Sequence, residues 1–309
     1  MASFFRNTEK KIPRPHPQEK EFSRRAHAVA GEKFFTSLCG FSALFTFGLV
    51  LFLFGFLALF AFPLFKNGGY FLLLTTPWQP LSGKFGIGPM IAGTAAISSL
   101  AILIAFPLSL GAAAFCEADF APRPIVRWIR PVFQLMTGIP TVVYGFLAVF
   151  LLIPLLRQAL GGSGFSILAA ALTLALLVSP TMILFFSDAF RAVSREDVRT
   201  LVGLGAKPEE RFIYLLLPQA RNGILAGLLL ACGRAVGDTL IALMLAGNSL
   251  AFPASCTEPA RTLTAHIALV MASDTQSPEF QSIFACGLTL YFITTLLIVL
   301  CRTRIQARR

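Results

Sequence analysis

The sequence predicts an all-α, polytopic membrane protein with six transmembrane helices. Of its 309 residues, 56% are hydrophobic and only 13% are charged, and the mean hydropathy is +0.74. A soluble domain is typically about 45–50% apolar and about 25% charged. The composition therefore excludes a soluble globular protein, and it also excludes a disordered one, which would have low hydrophobicity. The predicted membrane domain covers residues 34–301, between basic tails at residues 1–33 and 302–309.

Six apolar stretches are each long enough to cross a bilayer, which requires about 20 residues in a helix. Acidic and basic residues are absent from all of them except the fifth, which contains Arg234 and Asp238. The predicted spans are residues 34–65, 85–116, 131–156, 165–187, 222–250 and 280–301. The alternating pattern of a membrane β-barrel strand is absent. We expect Pro140 to kink the third span, with Thr137 and Tyr144 bonding the backbone groups that the proline leaves free.

The distribution of Lys and Arg predicts the orientation, because positively charged loops remain on the cytoplasmic side. Counted over alternate segments, 21 Lys and Arg residues lie on one side and 4 on the other, and Arg234 is the remaining one. The basic side includes both tails, so both termini are expected in the cytoplasm. Contact with anionic membrane lipid accounts for the net charge of +11, and nucleic acid is not expected as a partner.

The longest loop, residues 188–221, has the pattern of a structured element. A helix is expected over Arg195–Leu204, and Gly205 can end it because glycine tolerates a positive φ. Pro208 suits the first position of a second, strongly apolar helix, which Pro218 is expected to close. A short helix, a glycine turn and an apolar helix would form a docking surface for a cytoplasmic partner. The alternative is an amphipathic helix that lies on lipid.

The spacing within this loop resembles the EAA loop of ABC-importer permeases, in which Gly is followed by an aliphatic residue and then by Leu-Pro. Gly205, Leu215 and Leu217-Pro218 reproduce that spacing. The resemblance implies the ABC-importer type I permease fold and insertion of the loop into a cytoplasmic ATPase. The residues that it assigns to this contact are Gly203, Gly205, Ala206, Leu215, Leu217 and Pro218. Arg199-Thr200-Leu201 stand where the family has Glu-Ala-Ala.

Further motifs narrow the resemblance to the permeases of phosphate importers. Residues 233–239, GRAVGDT, followed by Ala246-Gly-Asn248, resemble the GRAxGET…GN segment of the PstC-type subunit. Other blocks similar to family motifs are residues 91–94, residues 104–111, residues 138–145 (GIPTVVYG) and residues 261–268. Together these motifs cover roughly residues 80–300.

The resemblance implies a transport subunit and not an enzyme. Such a subunit passes inorganic phosphate across the bacterial inner membrane, with a periplasmic phosphate-binding protein, a PstA-type second permease and two cytoplasmic ATPase subunits. The G-x-x-x-x-G-K-[ST] motif is absent, so ATP and Mg²⁺ are expected in the ATPase, with no cofactor in this subunit. No catalytic or metal-ligand spacing occurs. An importer of sulfate or molybdate remains an alternative, as does a secondary transporter that needs no ATPase.

Arg234 and Asp238 are the strongest candidates for contact with substrate. Counting from Gly223 at about 1.5 Å per residue places Arg234 about 16 Å deep, near the membrane centre. A charge at that depth indicates a functional site, and the planar guanidinium suits phosphate. Residues i and i+4 share a helix face, so we expect Asp238 to hold the guanidinium when no anion is bound; the alternative is a structural ion pair. Thr239 and Asn248 are further pathway candidates, or else form ordinary interhelical hydrogen bonds.

Overall fold

The computed structural model describes residues 17–66, 75–272 and 277–306, which are mostly helical. The helices are α1 (Pro17–Lys66), α2 (Gly88–Glu117), α3 (Arg123–Thr137), α4 (Thr141–Leu160), α5 (Ile167–Arg191), α6 (Arg195–Gly203), α7 (Pro208–Gly237), α8 (Leu240–Leu245), α9 (Leu263–Val270) and α10 (Pro278–Gln306). An antiparallel pair of two-residue strands, β1 (Trp78–Gln79) and β2 (Lys84–Phe85), precedes α2. The chain divides into two compact units, Met1–Gly55 and Phe56–Arg309, and every candidate site residue lies in the second.

Six of the described helices are long and apolar enough to cross a membrane, which confirms the predicted number. They are α1, α2, α4, α5, α7 and α10. α5 begins close to the predicted position, where the Ser166 hydroxyl caps it by accepting the Ala169 N–H at 3.2 Å. α1 begins at Pro17 and α10 continues to Gln306, so helix extends into parts of both predicted tails. The rest of those tails, residues 1–16 and 307–309, lies outside the described residues.

The core of the second unit lies between α2, α5 and α7, where small residues let the helices approach closely. A Cβ atom at Gly223 of α7 would lie only 2.4 Å from the Cβ of Ala189 on α5, so a larger residue does not fit there. Large apolar side chains such as Leu103 of α2 and Phe150 of α4 are exposed instead. An exposed apolar surface of this extent suits a lipid environment.

The third span differs from the prediction, because Pro140 separates two helices and does not kink one. α3 ends at Thr137, Pro140 has an extended ψ of 140°, and α4 begins at Thr141. The residue before a proline is driven away from helical backbone, and Gly138 weakens the helix further. The segment before the break is therefore a helix of its own, and the span is shorter than predicted.

Two side chains bond backbone carbonyl groups next to the break, as predicted. The Tyr144 hydroxyl donates to the carbonyl oxygen of Met136 at 3.0 Å. The Thr137 hydroxyl donates to the carbonyl oxygen of Gln134 at 2.7 Å. These bonds fix the end of α3 against the first turn of α4.

The prediction that Pro218 closes the helix before it is wrong. α7 passes through Pro218 as one helix that contains a π-helical turn at Phe212–Leu216. The Leu217 N–H bonds the carbonyl oxygen of Phe212, five residues back. A proline ring normally collides with the carbonyl four residues before it, and the wider turn removes this obstacle. The fifth span is therefore continuous with the apolar half of the predicted docking loop.

Candidate functional site

Arg234 lies near the end of α7, half-buried against α5. Its Nη1 atom donates a hydrogen bond to the Thr181 hydroxyl at 3.3 Å. The preceding charge on α7 is Arg221, about 20 Å back along the helix. This spacing is shorter than the thickness of the hydrocarbon layer, about 30 Å, so it agrees with the predicted depth of Arg234. The guanidinium also acts electrostatically on Tyr144 of α4.

Asp238 does not pair with Arg234 as the spacing predicts. α7 ends at Gly237, and the Asp238 backbone is extended with ψ 125°. Its Oδ1 atom accepts the Ile241 N–H at 2.8 Å and thereby caps α8. A glycine followed by a short carboxylate favours a helix end, because aspartate bonds a backbone N–H best from the position before a helix. Among the described residues no ion pair joins Arg234 to a carboxylate, and its hydrogen-bond partner is a neutral hydroxyl.

The other two predicted pathway residues lie at opposite ends of α8. Thr239 precedes α8 and is half-buried next to Asp238. Asn248 follows α8 in a left-handed conformation (φ 54°), and its Nδ2 atom donates to the Leu243 carbonyl oxygen at 2.8 Å. The break after Gly237 thus groups Asp238 and Thr239 beside Arg234, whereas α8 separates Asn248 from them.

The motif at residues 138–145 brings α4 and α8 together. A Cβ atom at Gly145 would lie 2.7 Å from the Sδ atom of Met244, so a larger residue would require the Met244 side chain to move. Tyr144 is buried beside it and faces the charge of Arg234. This motif therefore builds one wall of the site.

The blocks at residues 91–94 and 261–268 pack against each other. The Thr94 hydroxyl accepts the Leu263 N–H at 2.9 Å, which fixes the start of α9 to α2. The Thr264 hydroxyl donates to the Asp238 carbonyl oxygen at 2.9 Å and ties α9 to the end of α7. These contacts hold the helix break beside Arg234 in place.

His266 of α9 is fully buried and contributes to packing. Its ring lies edge-on to the Trp78 ring with centroids 4.4 Å apart, and Nε2 is 3.3 Å from the Ser282 hydroxyl. Burial, aided by the nearby charge of Arg261, lowers the pKa of His266 to about 4. The imidazole is therefore neutral at pH 7.

The predicted docking loop consists of α6, a glycine turn and the first turns of α7. Because α5 and α7 extend into it, the segment between the two spans is residues 192–207, shorter than the predicted 188–221. Gly205 has φ 80°, a conformation that favours glycine, and the turn follows α6 as predicted. The Glu210 carboxylate accepts the Lys207 N–H at 2.8 Å and stabilises the start of α7.

The residues predicted to contact an ATPase differ in exposure. The exposed ones are Gly203, Gly205 and Pro218, and the half-buried ones are Ala206, Leu215 and Leu217. Leu204 and Tyr214, which the sequence pattern does not single out, are each 78% exposed. These two side chains give the loop an apolar outer surface.

One face of α7 next to Arg234 is open. Gly233 and Gly237 are exposed, and a Cβ atom at either position would meet no described atom within 4 Å. Leu230, one turn earlier, is 49% exposed. Gly-x-x-x-Gly faces let two membrane helices approach closely. This face is therefore available to a helix of another chain or to lipid.

Thr181 is the residue at this site that sequence reasoning missed. It follows Ser179-Pro180 in an apolar run, where a hydroxyl suggests only a local partner for backbone groups. Its bond to Arg234 joins positions 53 residues apart and depends on how α5 packs on α7. No group of three or more His, Cys, Asp or Glu side chains is placed to hold a metal ion anywhere in the described part of the chain.

Comparison with known proteins shows where this fold belongs. The chain is 32% identical to a phosphate transport system permease protein PstC of Mesorhizobium japonicum, over 78% of this chain and 80% of that protein. It is 26% identical to a protein of the same name from Pasteurella multocida, over 93% and 95%. It is 32% identical to the probable ABC transporter permease protein YqgH of Bacillus subtilis, over 74% and 75%.

Solved structures share the fold. A permease chain of a bacterial ABC transporter involved in alginate import superposes with TM-score 0.61 at 14% identity, over 94% of this chain and 99% of that one. A chain of the MetNI methionine ABC transporter superposes with TM-score 0.57 at 16% identity, over 70% and 92%. These likenesses establish the type I ABC-importer permease fold. The family model described as "Binding-protein-dependent transport system inner membrane component" matches residues 105–308. The chain therefore belongs to this family, as a multi-pass inner-membrane permease.

Proposed function

We propose that this chain is the phosphate-conducting permease subunit of an ATP-driven importer. The observation that carries the proposal is the half-buried guanidinium of Arg234, which has a neutral hydroxyl as its described partner and lies in the fifth span, where the sequence predicts mid-membrane depth. A half-buried arginine that forms no ion pair with a carboxylate among the described residues attracts an anion, and its fork matches the oxygens of a phosphate group. The names of the relatives from Mesorhizobium japonicum and Pasteurella multocida support phosphate over sulfate or molybdate.

The surroundings of Arg234 suit brief binding. Thr181 holds the guanidinium in one position without reducing its charge. Asp238 is close enough to act on it electrostatically, although its carboxylate caps α8. A pathway site must bind an ion well enough to admit it and weakly enough to release it. The nearby negative charge of Asp238 lowers the affinity for an anion and so favours release.

The proposal assigns partners to two surfaces. The open face of α7 at Gly233 and Gly237 packs against a homologous, PstA-type second permease, which places Arg234 at the interface. The predicted docking loop, which contains α6 and is called the α6 loop below, lies in the cytoplasm together with both termini. It docks into one of two ATPase subunits, which bind ATP and Mg²⁺. A periplasmic phosphate-binding protein delivers the anion at the opposite side. As a permease, this chain conducts the substrate and catalyses no reaction.

The proposal is tested by the uptake of labelled phosphate in cells that depend on this transporter. Arg234→Gln is expected to abolish uptake while the assembled complex still co-purifies. Arg157→Gln, on α4 and bonded to the Ser163 carbonyl oxygen, serves as the control for the loss of an arginine elsewhere. Normal uptake by the Arg234→Gln variant would defeat the proposal.

Three further measurements separate the alternatives. Sulfate and molybdate added in excess compete with phosphate only if the pathway serves another oxyanion. Depletion of ATP stops uptake by an ATP-driven importer, whereas an ionophore that removes the ion gradient stops a secondary transporter. Recovery of an ATPase and a second permease with the purified chain supports the first class.

A further inference from the structure

A charged cavity lies apart from the pathway, where α6 meets the ends of α2 and α5. Its volume is about 250 Å³. Its charged lining residues are Arg191, Arg195, Arg199, Arg211, Glu117 and Asp119. Apolar side chains, among them Phe190 and Leu216, form the rest of the wall. The space is large enough for a phosphate group together with several water molecules.

The carboxylates of the cavity do not neutralise its arginines. Glu117 already pairs with Arg191 at 3.1 Å and with Arg130, which stands behind the wall. Asp119 pairs with Arg211 at 2.9 Å. In the sum of charges, Arg130 is balanced by Asp188, which is exposed and lies 3.8 Å from Arg191. The cavity therefore keeps a formal charge of about two positive units, carried by two arginines of α6.

Those two arginines, Arg195 and Arg199, are exposed one turn apart on α6. Among the described residues neither has a hydrogen bond or an ion pair. Residues four apart share a face of a helix, so both guanidinium groups can reach one ligand.

Arg211 supplies an independent observation. Its side chain is only 11% exposed, and its Nε atom is buried without an acceptor among the described residues. It directly precedes the π-helical turn of α7, Phe212–Leu216, and Leu216 also lines the cavity. Single π-turns occur frequently at functional sites, and an unpaired buried donor calls for an acceptor. A ligand that presents several acceptor oxygens would supply one.

We infer that this cavity binds a phosphate group, in addition to and independently of the site at Arg234. Arginine forks donate pairs of hydrogen bonds to phosphate oxygens, and three donors around one cavity suit a tetrahedral oxyanion. The phosphate group belongs either to inorganic phosphate or to the headgroup of an anionic lipid, because the cavity lies at the ends of spanning helices. A bound phosphate group joins α6 to the ends of α2 and α5 and thereby stiffens the α6 loop.

The test uses the full-length chain in nanodiscs, with Arg234→Gln in every sample so that the pathway site does not contribute. Hydrogen exchange of residues 195–216 is followed as inorganic phosphate is titrated into phosphatidylcholine discs, and separately in discs that contain phosphatidylglycerol. Each lost guanidinium weakens binding of a phosphate group by about tenfold. The Arg195→Gln/Arg199→Gln double variant is compared with Arg127→Gln, an exposed arginine of α3 outside the cavity.

Protection by inorganic phosphate in phosphatidylcholine discs, lost in the double variant and kept in Arg127→Gln, supports a site for free phosphate. Protection only in the phosphatidylglycerol discs, with the same dependence on the two arginines, supports a site for a lipid headgroup. Absence of protection in both kinds of disc overturns the inference, and so does equal protection in the double variant and in Arg127→Gln. Because the pathway arginine is absent from every sample, these outcomes do not depend on the proposed transport function.

Discussion

The hydrogen bond between Thr181 and Arg234 leads to the sharpest prediction about the anion site. Thr181→Val removes the hydroxyl and preserves the branched shape of the side chain, so packing between α5 and α7 is retained. A hydrogen bond to a charged group contributes about 1.5–3 kcal/mol. At 3.3 Å and with both residues only half-buried, this bond lies at the lower end of that range. A loss of about 1.5 kcal/mol corresponds to about a tenfold weaker affinity.

The assay is phosphate uptake by the assembled transporter at a series of phosphate concentrations. We expect Thr181→Val to raise KM by about tenfold and to change kcat much less, because the hydroxyl orients the arginine and does not itself drive transport. Thr181→Ser restores the hydroxyl and is expected to return KM towards the wild-type value. Thr173→Val is the matched control, since the Thr173 hydroxyl donates to the Ala169 carbonyl oxygen of its own helix at 3.0 Å and has no other bonding partner among the described residues.

Two results would refute this reasoning. An unchanged KM in Thr181→Val would show that the hydroxyl does not position Arg234. A Thr181→Ser variant as impaired as Thr181→Val would show that the methyl group, and therefore packing, is what matters. The thermal midpoint of each purified variant shows whether the fold is intact.

Three further predictions concern the glycine turn of the docking loop, the contact between α4 and α8, and the buried His266 of α9. Gly205→Ala places a side chain at φ 80°, which costs about 1–2 kcal/mol, and is expected to lower phosphate uptake per ATP hydrolysed, whereas Gly161→Ala, at φ 77° between α4 and α5, is not; equal ratios in the two variants would argue against a coupling role. Gly145→Val collides with Met244 Sδ, 2.7 Å from the added Cβ, and is expected to lower the thermal midpoint by several degrees; an unchanged midpoint would mean that α4 and α8 are not in contact. His266 has a pKa of about 4 in the folded chain and about 6.5 in the unfolded chain. The unfolded chain therefore binds a proton first as the pH falls, so the free energy of unfolding is unaffected above pH 6.5 and decreases by about 2–3 kcal/mol as the pH falls towards 4. His266→Gln should flatten the dependence of the thermal midpoint on pH between 6.5 and 4, and an unchanged slope would contradict the burial argument.

The six spans could be predicted because the hydrocarbon layer imposes a minimum length on any helix that crosses it. Each apolar run exceeds that length, and the charges that bound the runs are visible without tertiary information. The start of α5 could be predicted near residue 165, because the glycine-rich residues 161–164 interrupt the apolar run, and the helix begins at Ile167.

The two prolines show why the ends of helices were harder to predict. Pro140 follows Gly138, which weakens a helix, and Ile139, which the proline drives away from helical backbone. The helix therefore breaks completely there. Pro218 follows a π-turn that accommodates its ring, so the helix continues. A π-turn has no residue pattern of its own, and spacing alone could not distinguish the two cases.

The candidate site was predicted in part. Arg234 is evident from the sequence because it interrupts an apolar run. A charge within the membrane is energetically costly, so its presence indicates a function. Its partner Thr181 is brought to it by packing between α5 and α7 and leaves no sequence signal. The predicted pairing with Asp238 assumed an uninterrupted helix, whereas the short carboxylate bonds the Ile241 N–H and helps to end that helix.

The central claim is that a phosphate anion rests on Arg234 within the membrane. The most direct measurement is the dipolar coupling between phosphorus of bound phosphate and the guanidinium nitrogens of ¹⁵N-arginine, recorded by solid-state NMR on the assembled transporter in lipid. Every sample carries Arg195→Gln/Arg199→Gln, so that the cavity at α6 does not contribute. The account predicts a coupling typical of direct contact in this background that is lost when Arg234→Gln is added. A coupling of the same strength after Arg234→Gln is added, or none before it at saturating phosphate, would contradict it.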